Sequence, residues 1–289
     1  MIRRLVLFAA LFVCSLCAHA AVYPNFPPHK IAGNLYYVGD SFEAAFLIVT
    51  PQGNILLNVG DQDEIKLVKE NVAALGFKWA DTKLLLSSQA HFDHVGAAAQ
   101  LVKETGAKFL VMDGDVDLAE SGGKKDFAYS APKYQFPPAH VDKVLHDGEV
   151  VQLGGVKLVA HKTPGHTRGC TTFTMQVNEG GKTYNVVIVG AGGANFGDAG
   201  YELVGNKVYP QIVSDLRKSY AVLHSLPCDI FLGAHGVYYG LEEKYPRSKT
   251  EGVKAWIDPA GYKAYVEERD MAFRREFKKQ MELKRQTGF

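Results

Sequence analysis

Apolar and polar positions along this chain switch repeatedly between the period of a strand and that of a helix. The run GNILLNVGD (53–61) reads as a buried strand ending in a glycine turn, and DEIKLVKENVAALG (63–76) as an amphipathic helix. TKLLLSS (82–88) predicts the next strand. VGAAAQLVKETG (95–106) predicts a helix that closes at Gly106 and leads into the strand KFLVM (108–112). The second half repeats the theme, with strands at VKLVAHK (156–162), CTTFTMQV (170–177) and YNVVIVG (184–190), a helix near 210–225 and a strand at DIFLGAH (229–235). Two mixed half-units of this kind predict an α/β fold in which sheet packs on sheet with helices outside. The last segment, 260–285, carries apolar residues at helical spacing among Glu267, Arg269, Lys278 and Glu282, which fits a closing helix with one solvated face. No repeat of about 20–50 residues is present, which excludes a solenoid.

The first residues depart from this pattern. MIRRLVLFAALFVCSLCAHA places Arg3 and Arg4 before an apolar run from Leu5 to Val13, then Ala18-His19-Ala20 ahead of Ala21. A basic start, a short apolar core and small residues before the break are the features of a cleaved secretory signal. The expected organisation is therefore a signal peptide over 1–20 and a single domain over 21–289, exported to the periplasm or secreted. The apolar run is too short for a stable span, and no later stretch offers the ~20 apolar residues a spanning helix needs. No membrane anchor is expected.

Composition agrees with one large globular domain: of 289 residues, 47% are hydrophobic and 22% charged. Loss of residues 1–20 removes two arginines and no acid, taking the formal charge from +1 to −1. A near-neutral chain of this kind is a poor nucleic-acid ligand. Cys170 and Cys228 are the cysteines that remain, open to pairing or to burial as free thiols.

Candidate chemistry concentrates in SSQAHFDHVG (87–96), where Gln89, His91, Asp93 and His94 crowd the loop after the 82–88 strand. If that loop stays extended, Gln89, His91 and Asp93 lean to one side and His94 to another. Two further histidines, His166 in HKTPGHTRG and His235 in DIFLGAHG, each sit at the end of an expected strand. Only a fold that gathers strand ends at one edge brings such distant groups together. Imidazole and carboxylate donors without thiolates suit Zn²⁺ in an open, hydrolytic site, whereas structural zinc usually takes cysteines. Such an ion lowers the pKa of bound water to about 7, so no serine or cysteine nucleophile is required. His140, His146, His161 and His224 lack any such context and read as surface or core histidines. The glycines of GAGGANFGDAGYELVGN (190–206) stand too far from the following helix for a phosphate loop and fit a loop beside a pocket.

On these residues the chain resembles the metallo-β-lactamase superfamily, whose signature is a His-x-His-x-Asp-His loop with two more distant histidines. TPGHTRG, YPQIVSDLRKSY and LPCDIFLGAH are similar to the third subclass of class B β-lactamases (B3), and Gln89 at the first ligand position resembles the GOB-type variant. The resemblance implies an αββα sandwich and one or two Zn²⁺ per chain, the first held by Gln89, His91 and His166 and the second by Asp93, His94 and His235. It also implies an enzyme that opens the β-lactam amide with a metal-bound hydroxide, Asp93 orienting that nucleophile, and so confers antibiotic resistance; the chain is expected to act as a monomer on a small-molecule substrate. An amide oxygen is a weaker donor than imidazole, so the second ion is expected to bind first.

The chain departs from the subclass pattern in three places. Serines that usually anchor the substrate carboxylate are missing from GAGGANFGDAG, leaving Asn195 as the candidate, with Phe92 and Tyr238 as candidate substrate contacts. Asn58 stands where many members of the superfamily keep an aspartate behind the ligands. Gly261 occupies about the position of the usual disulfide partner of Cys228. The rival readings are a thioester or lactone hydrolase of the same fold, for which Asp198 is the one available bridging aspartate, and a metal-binding protein without catalysis.

Overall fold

The computed structural model describes residues 25–287, so the expected signal peptide lies outside the described residues. Seven strands form one sheet in chain order: β1 (His29–Ala32), β2 (Leu35–Tyr37), β3 (Phe46–Thr50), β4 (Gly53–Leu57), β5 (Thr82–Leu86), β6 (Lys108–Met112) and β7 (Lys143–Leu145). The second sheet holds β8 (Glu149–Leu153), β9 (Val156–Lys162), β10 (Thr171–Glu179), β11 (Lys182–Val189) and β12 (Ile230–Gly233) in the order β12-β11-β10-β9-β8. Pairing is antiparallel through β1–β4 and β8–β11, but parallel from β4 to β7 and between β11 and β12.

The alternation of side chains along each strand explains the layering. Ile55 and Leu57, Leu86, and Leu110 with Met112 turn inward to the core between the sheets. Their neighbours Leu56, Leu85, and Phe109 with Val111 face the other way and pack with Val68, Val72 and Leu101 of the helices Ile65–Ala74 and Ala98–Thr105. β11 is apolar on both faces because the core lies on one side and the helices Ile212–Ser225 and Pro259–Thr287, through Leu216, Leu223, Val266 and Phe273, lie on the other. Helix, sheet, sheet and helix thus form the expected αββα sandwich.

β6 and β9 begin and end where the periodicity puts them. β4 stops at Leu57, short of the expected boundary, because Asn58 adopts φ 62°, the left-handed region that ends a strand. β1–β3, β7 and β8 had no counterpart in the periodicity, being short strands of three to five residues broken by turns. Segment 89–94 corrects an expectation. It is not extended: His91 accepts amides from His94 and Val95 at 3.1 Å, starting the helical turn Phe92–Val95. Neighbouring Asp93 and His94 therefore face one cluster rather than opposite sides.

Cys170 and Cys228 are both free thiols. Among the described residues no helix is long and apolar enough to cross a membrane.

Candidate metal centre

Every candidate ligand sits just beyond a strand, at one rim of the sandwich: the Gln89–His94 segment after β5, His166 after β9 and His235 after β12. The backbone fixes each in place. Gly165 turns the chain before His166 at φ 136°, where a Cβ would meet Leu216 Cδ2 at 2.4 Å, so only glycine fits. His235 is clamped on both sides: Ala44 donates to Ala234 O at 2.9 Å and Gly236 to Phe42 O at 2.8 Å.

The cluster divides in two. Asp93, His94 and His235 each offer a ligand atom, and these atoms lie within 4.8 Å of one another. Asp93 Oδ2 is 3.2 Å from His94 Nε2 and 3.7 Å from His235 Nε2. On the other side, the rings of His91 and His166 meet edge to face at 4.8 Å. Gln89 lies against the first group: its Nε2 is 2.9 Å from His94 Nε2 and donates to Gly190 O at 3.3 Å. Its Oε1 is buried without a partner. A buried amide oxygen left unpaired costs about 1–3 kcal/mol, which a cation at that spot would offset.

Charge follows the geometry. Burial opposes ionisation of Asp93, but His94, His235 and His91 hold its carboxyl far below the usual range. Burial lowers His235 to about 4, reinforced by His94. It also lowers His166 well below its ordinary value, with His91 adding to the effect. Both shifts favour the neutral ring, the state in which imidazole binds metal. His91 behaves differently. Burial disfavours its cation, but Asp126 outweighs this and raises it. Asp126 Oδ2 stands 2.9 Å from His91 Nε2, away from the line of a hydrogen bond, and its Oδ1 accepts the amides of Ala128 and Tyr129.

Asn58 occupies the expected place behind the ligands. Its Oδ1 accepts the Ser88 amide at 3.0 Å and its Nδ2 reaches His94 Nδ1 at 3.4 Å, leaving His94 Nε2 to face the cluster. The candidate substrate contacts fare unequally. Asn195 is exposed on the 190–206 loop and donates to Tyr129 Oη at 2.7 Å. Tyr238 lies against the His235 ring at 5.1 Å, whereas Phe92 packs toward Tyr134 at 5.6 Å. Asp198 is held by Tyr129, whose hydroxyl donates to Oδ2 at 2.5 Å, and does not join the ligand group. His140, His146, His161 and His224 pair elsewhere, with Glu120, Asp113, Thr174 and Asp270. Asp115 and Asp126 were not singled out by sequence: each acts on the loops through hydrogen bonds or a single close contact, and neither stands in a motif.

Fold and site together define a metal-binding hydrolase of the αββα type. Residues 38–179 match the Metallo-beta-lactamase superfamily. The native FEZ-1 metallo-β-lactamase from Legionella gormanii is 48% identical, with TM-score 0.88 over 91% of this chain and 99% of that one. The metallo-β-lactamase GOB-18 from Elizabethkingia meningoseptica is 34% identical, with TM-score 0.82 over 89% and 94%. A probable metallo-hydrolase from Burkholderia pseudomallei is 31% identical over 104 residues, 36% of this chain, and the match spans about a third (34%) of that protein's length. The chain belongs to the metallo-β-lactamase superfamily, and its similarity is to the B3 subclass. Identity is higher to FEZ-1 than to GOB-18.

Proposed function

We propose that this chain is a zinc-dependent hydrolase that opens the amide of β-lactams, working as a single domain over 21–289 after export to the periplasm. The observation that carries the reading is the convergence of Asp93, His94 and His235 within 4.8 Å, beside the His91–His166 pair. The residues fit zinc: all donors are imidazole, carboxylate or amide, and one buried amide oxygen has no partner. Asp93, His94 and His235 would hold one ion, and Gln89, His91 and His166 the other. When bound, zinc supplies Lewis acidity and a nucleophile at neutral pH.

The chain's own residues supply the rest. Asp93, kept ionised, accepts and orients a proton-bearing group at Oδ2. Neutral His166 and His235 stay available as ligands. Asn195 Nδ2, at the exposed rim, can leave Tyr129 Oη for the carboxylate of a substrate. The FEZ-1 and GOB-18 neighbours, metallo-β-lactamases of nearly matching length, support the substrate class. Hydrolases of the thioester or lactone reading often add a bridging aspartate near residue 190; the one available here, Asp198, accepts from Tyr129 Oη at 2.5 Å and is not among the Asp93, His94 and His235 group.

Because Gln89 is the weakest donor of the six, nitrocefin hydrolysis by metal-free protein should rise with the first equivalent of zinc and change little with the second. Activity that begins only after the second equivalent would reject the order of filling. Turnover of acyl thioesters without any β-lactam turnover would reject the substrate class.

A further inference from the structure

Among the described carboxylates near the cluster, Asp115 is the one whose side-chain hydrogen bonds all run to the two loops that carry Gln89, His91 and His166. It follows β6, is 1% exposed, and touches no ligand side chain by hydrogen bond. Its Oδ2 accepts the Ala90 amide at 3.0 Å and the Thr167 hydroxyl at 2.6 Å; its Oδ1 accepts the Gly169 amide at 2.7 Å. Ala90 lies between Gln89 and His91, and Thr167 follows His166. One carboxylate thus joins the two loops at the residues beside the ligands.

The approach is built in. A Cβ at Gly169 would lie 2.6 Å from Asp115 N and 2.7 Å from Asp115 Cβ, and one at Gly114 would lie 2.6 Å from Arg168 O. Larger residues at either place would drive the loops apart. Asp93 and His94 lie on the Phe92–Val95 turn that starts at His91 but have a support of their own, the Val59 amide donating to His94 O at 2.9 Å, and His235 is held by the 42–44 segment.

We propose that Asp115 is a positioning residue for the first metal, holding the Gln89–His91 and His166 loops at one separation while leaving the second metal's ligands to other supports. The inference rests on the ligand assignment given under Proposed function. A carboxylate suits the role because all three partners are donors, whereas an amide would set its NH₂ against at least one of them. Groups hydrogen-bonded to metal ligands typically contribute about 10–100-fold in affinity, and Asp115, which acts on the residues beside the ligands, is expected at the lower end of that range.

The test separates the two sites by removing one ligand at a time. In full-length His235→Ala protein, which keeps Gln89, His91 and His166, adding Asp115→Asn should weaken zinc binding by about tenfold or more, read by competition with a chromophoric chelator. In His166→Ala protein, which keeps Asp93, His94 and His235, the same change should weaken it clearly less than in the His235→Ala background. Thr167→Val, which removes one hydrogen bond and keeps the side-chain shape, should give a smaller loss with the same selectivity and covers the case in which Asp115→Asn does not fold. Equal losses in both backgrounds, or none in either, would overturn the inference. Failure of His235→Ala protein itself to bind zinc would instead reject the ligand assignment, and the inference with it.

Discussion

Asp93→Asn should lower kcat/KM for β-lactam hydrolysis by about a thousandfold or more, a loss of roughly 4 kcal/mol in transition-state stabilisation. The substitution keeps shape and removes charge. Asp93 is the carboxylate of the group it forms with His94 and His235, and those rings together with His91 hold it ionised. Without it, a cation held by His94 and His235 would have no counter-charge, and Oδ2 could no longer accept a proton-bearing group. Steady-state kinetics at saturating zinc, with metal content measured on the same sample, checks this. Activity within tenfold of the parent protein would show that the carboxylate is dispensable.

Phe231→Ala should lower stability by about 3–5 kcal/mol. Phe231 is 1% exposed in β12, with Tyr239, Tyr262 and Tyr265 rings at 6.4, 5.4 and 5.2 Å. These neighbours come from two different helical segments, Gly236–Tyr239 and Pro259–Thr287, so no single side chain can swing in to fill the space. For a domain of this size each kcal/mol shifts Tm by about 2–4 °C, giving a fall of roughly 6–20 °C. β12 leads directly to His235, so zinc affinity should fall as well. Thermal unfolding with and without zinc measures both effects, and a Tm change under about 3 °C would contradict this account of the packing.

Much of the layering is legible in sequence because burial imposes a period. Leu56 between Ile55 and Leu57, and Leu110 between Phe109 and Val111, must face opposite layers once a strand is assigned. The metal cluster is legible for a different reason: histidines and an aspartate packed together at a strand end have little structural use, and His166 and His235 recur at further strand ends. What stays hidden depends on three-dimensional backbone contacts. Asp115 is one acid among several in MDGDVD, and nothing local marks it as the residue that accepts from Ala90, Thr167 and Gly169. Asp126 lies in an irregular stretch whose approach to His91 is set by the fold. The facing of His94 follows from a helical turn of four residues, Phe92–Val95, too short to leave a periodic trace.

The proposed export agrees with the proposed substrate. A hydrolase outside the cytoplasm would meet an incoming antibiotic before its targets are reached, and the formal charge of −1 expected after loss of 1–20 would give no strong attraction to nucleic acid. The six candidate ligands give the reading its chemistry, and they can be tested without any substrate.

X-ray diffraction from zinc-soaked crystals, collected on both sides of the zinc edge, measures where the ions sit. One anomalous peak is expected among Asp93, His94 and His235, and a second, weaker at limiting zinc, beside Gln89, His91 and His166. Zinc bound elsewhere with both positions empty would contradict the proposed centre and the hydrolysis assigned to it.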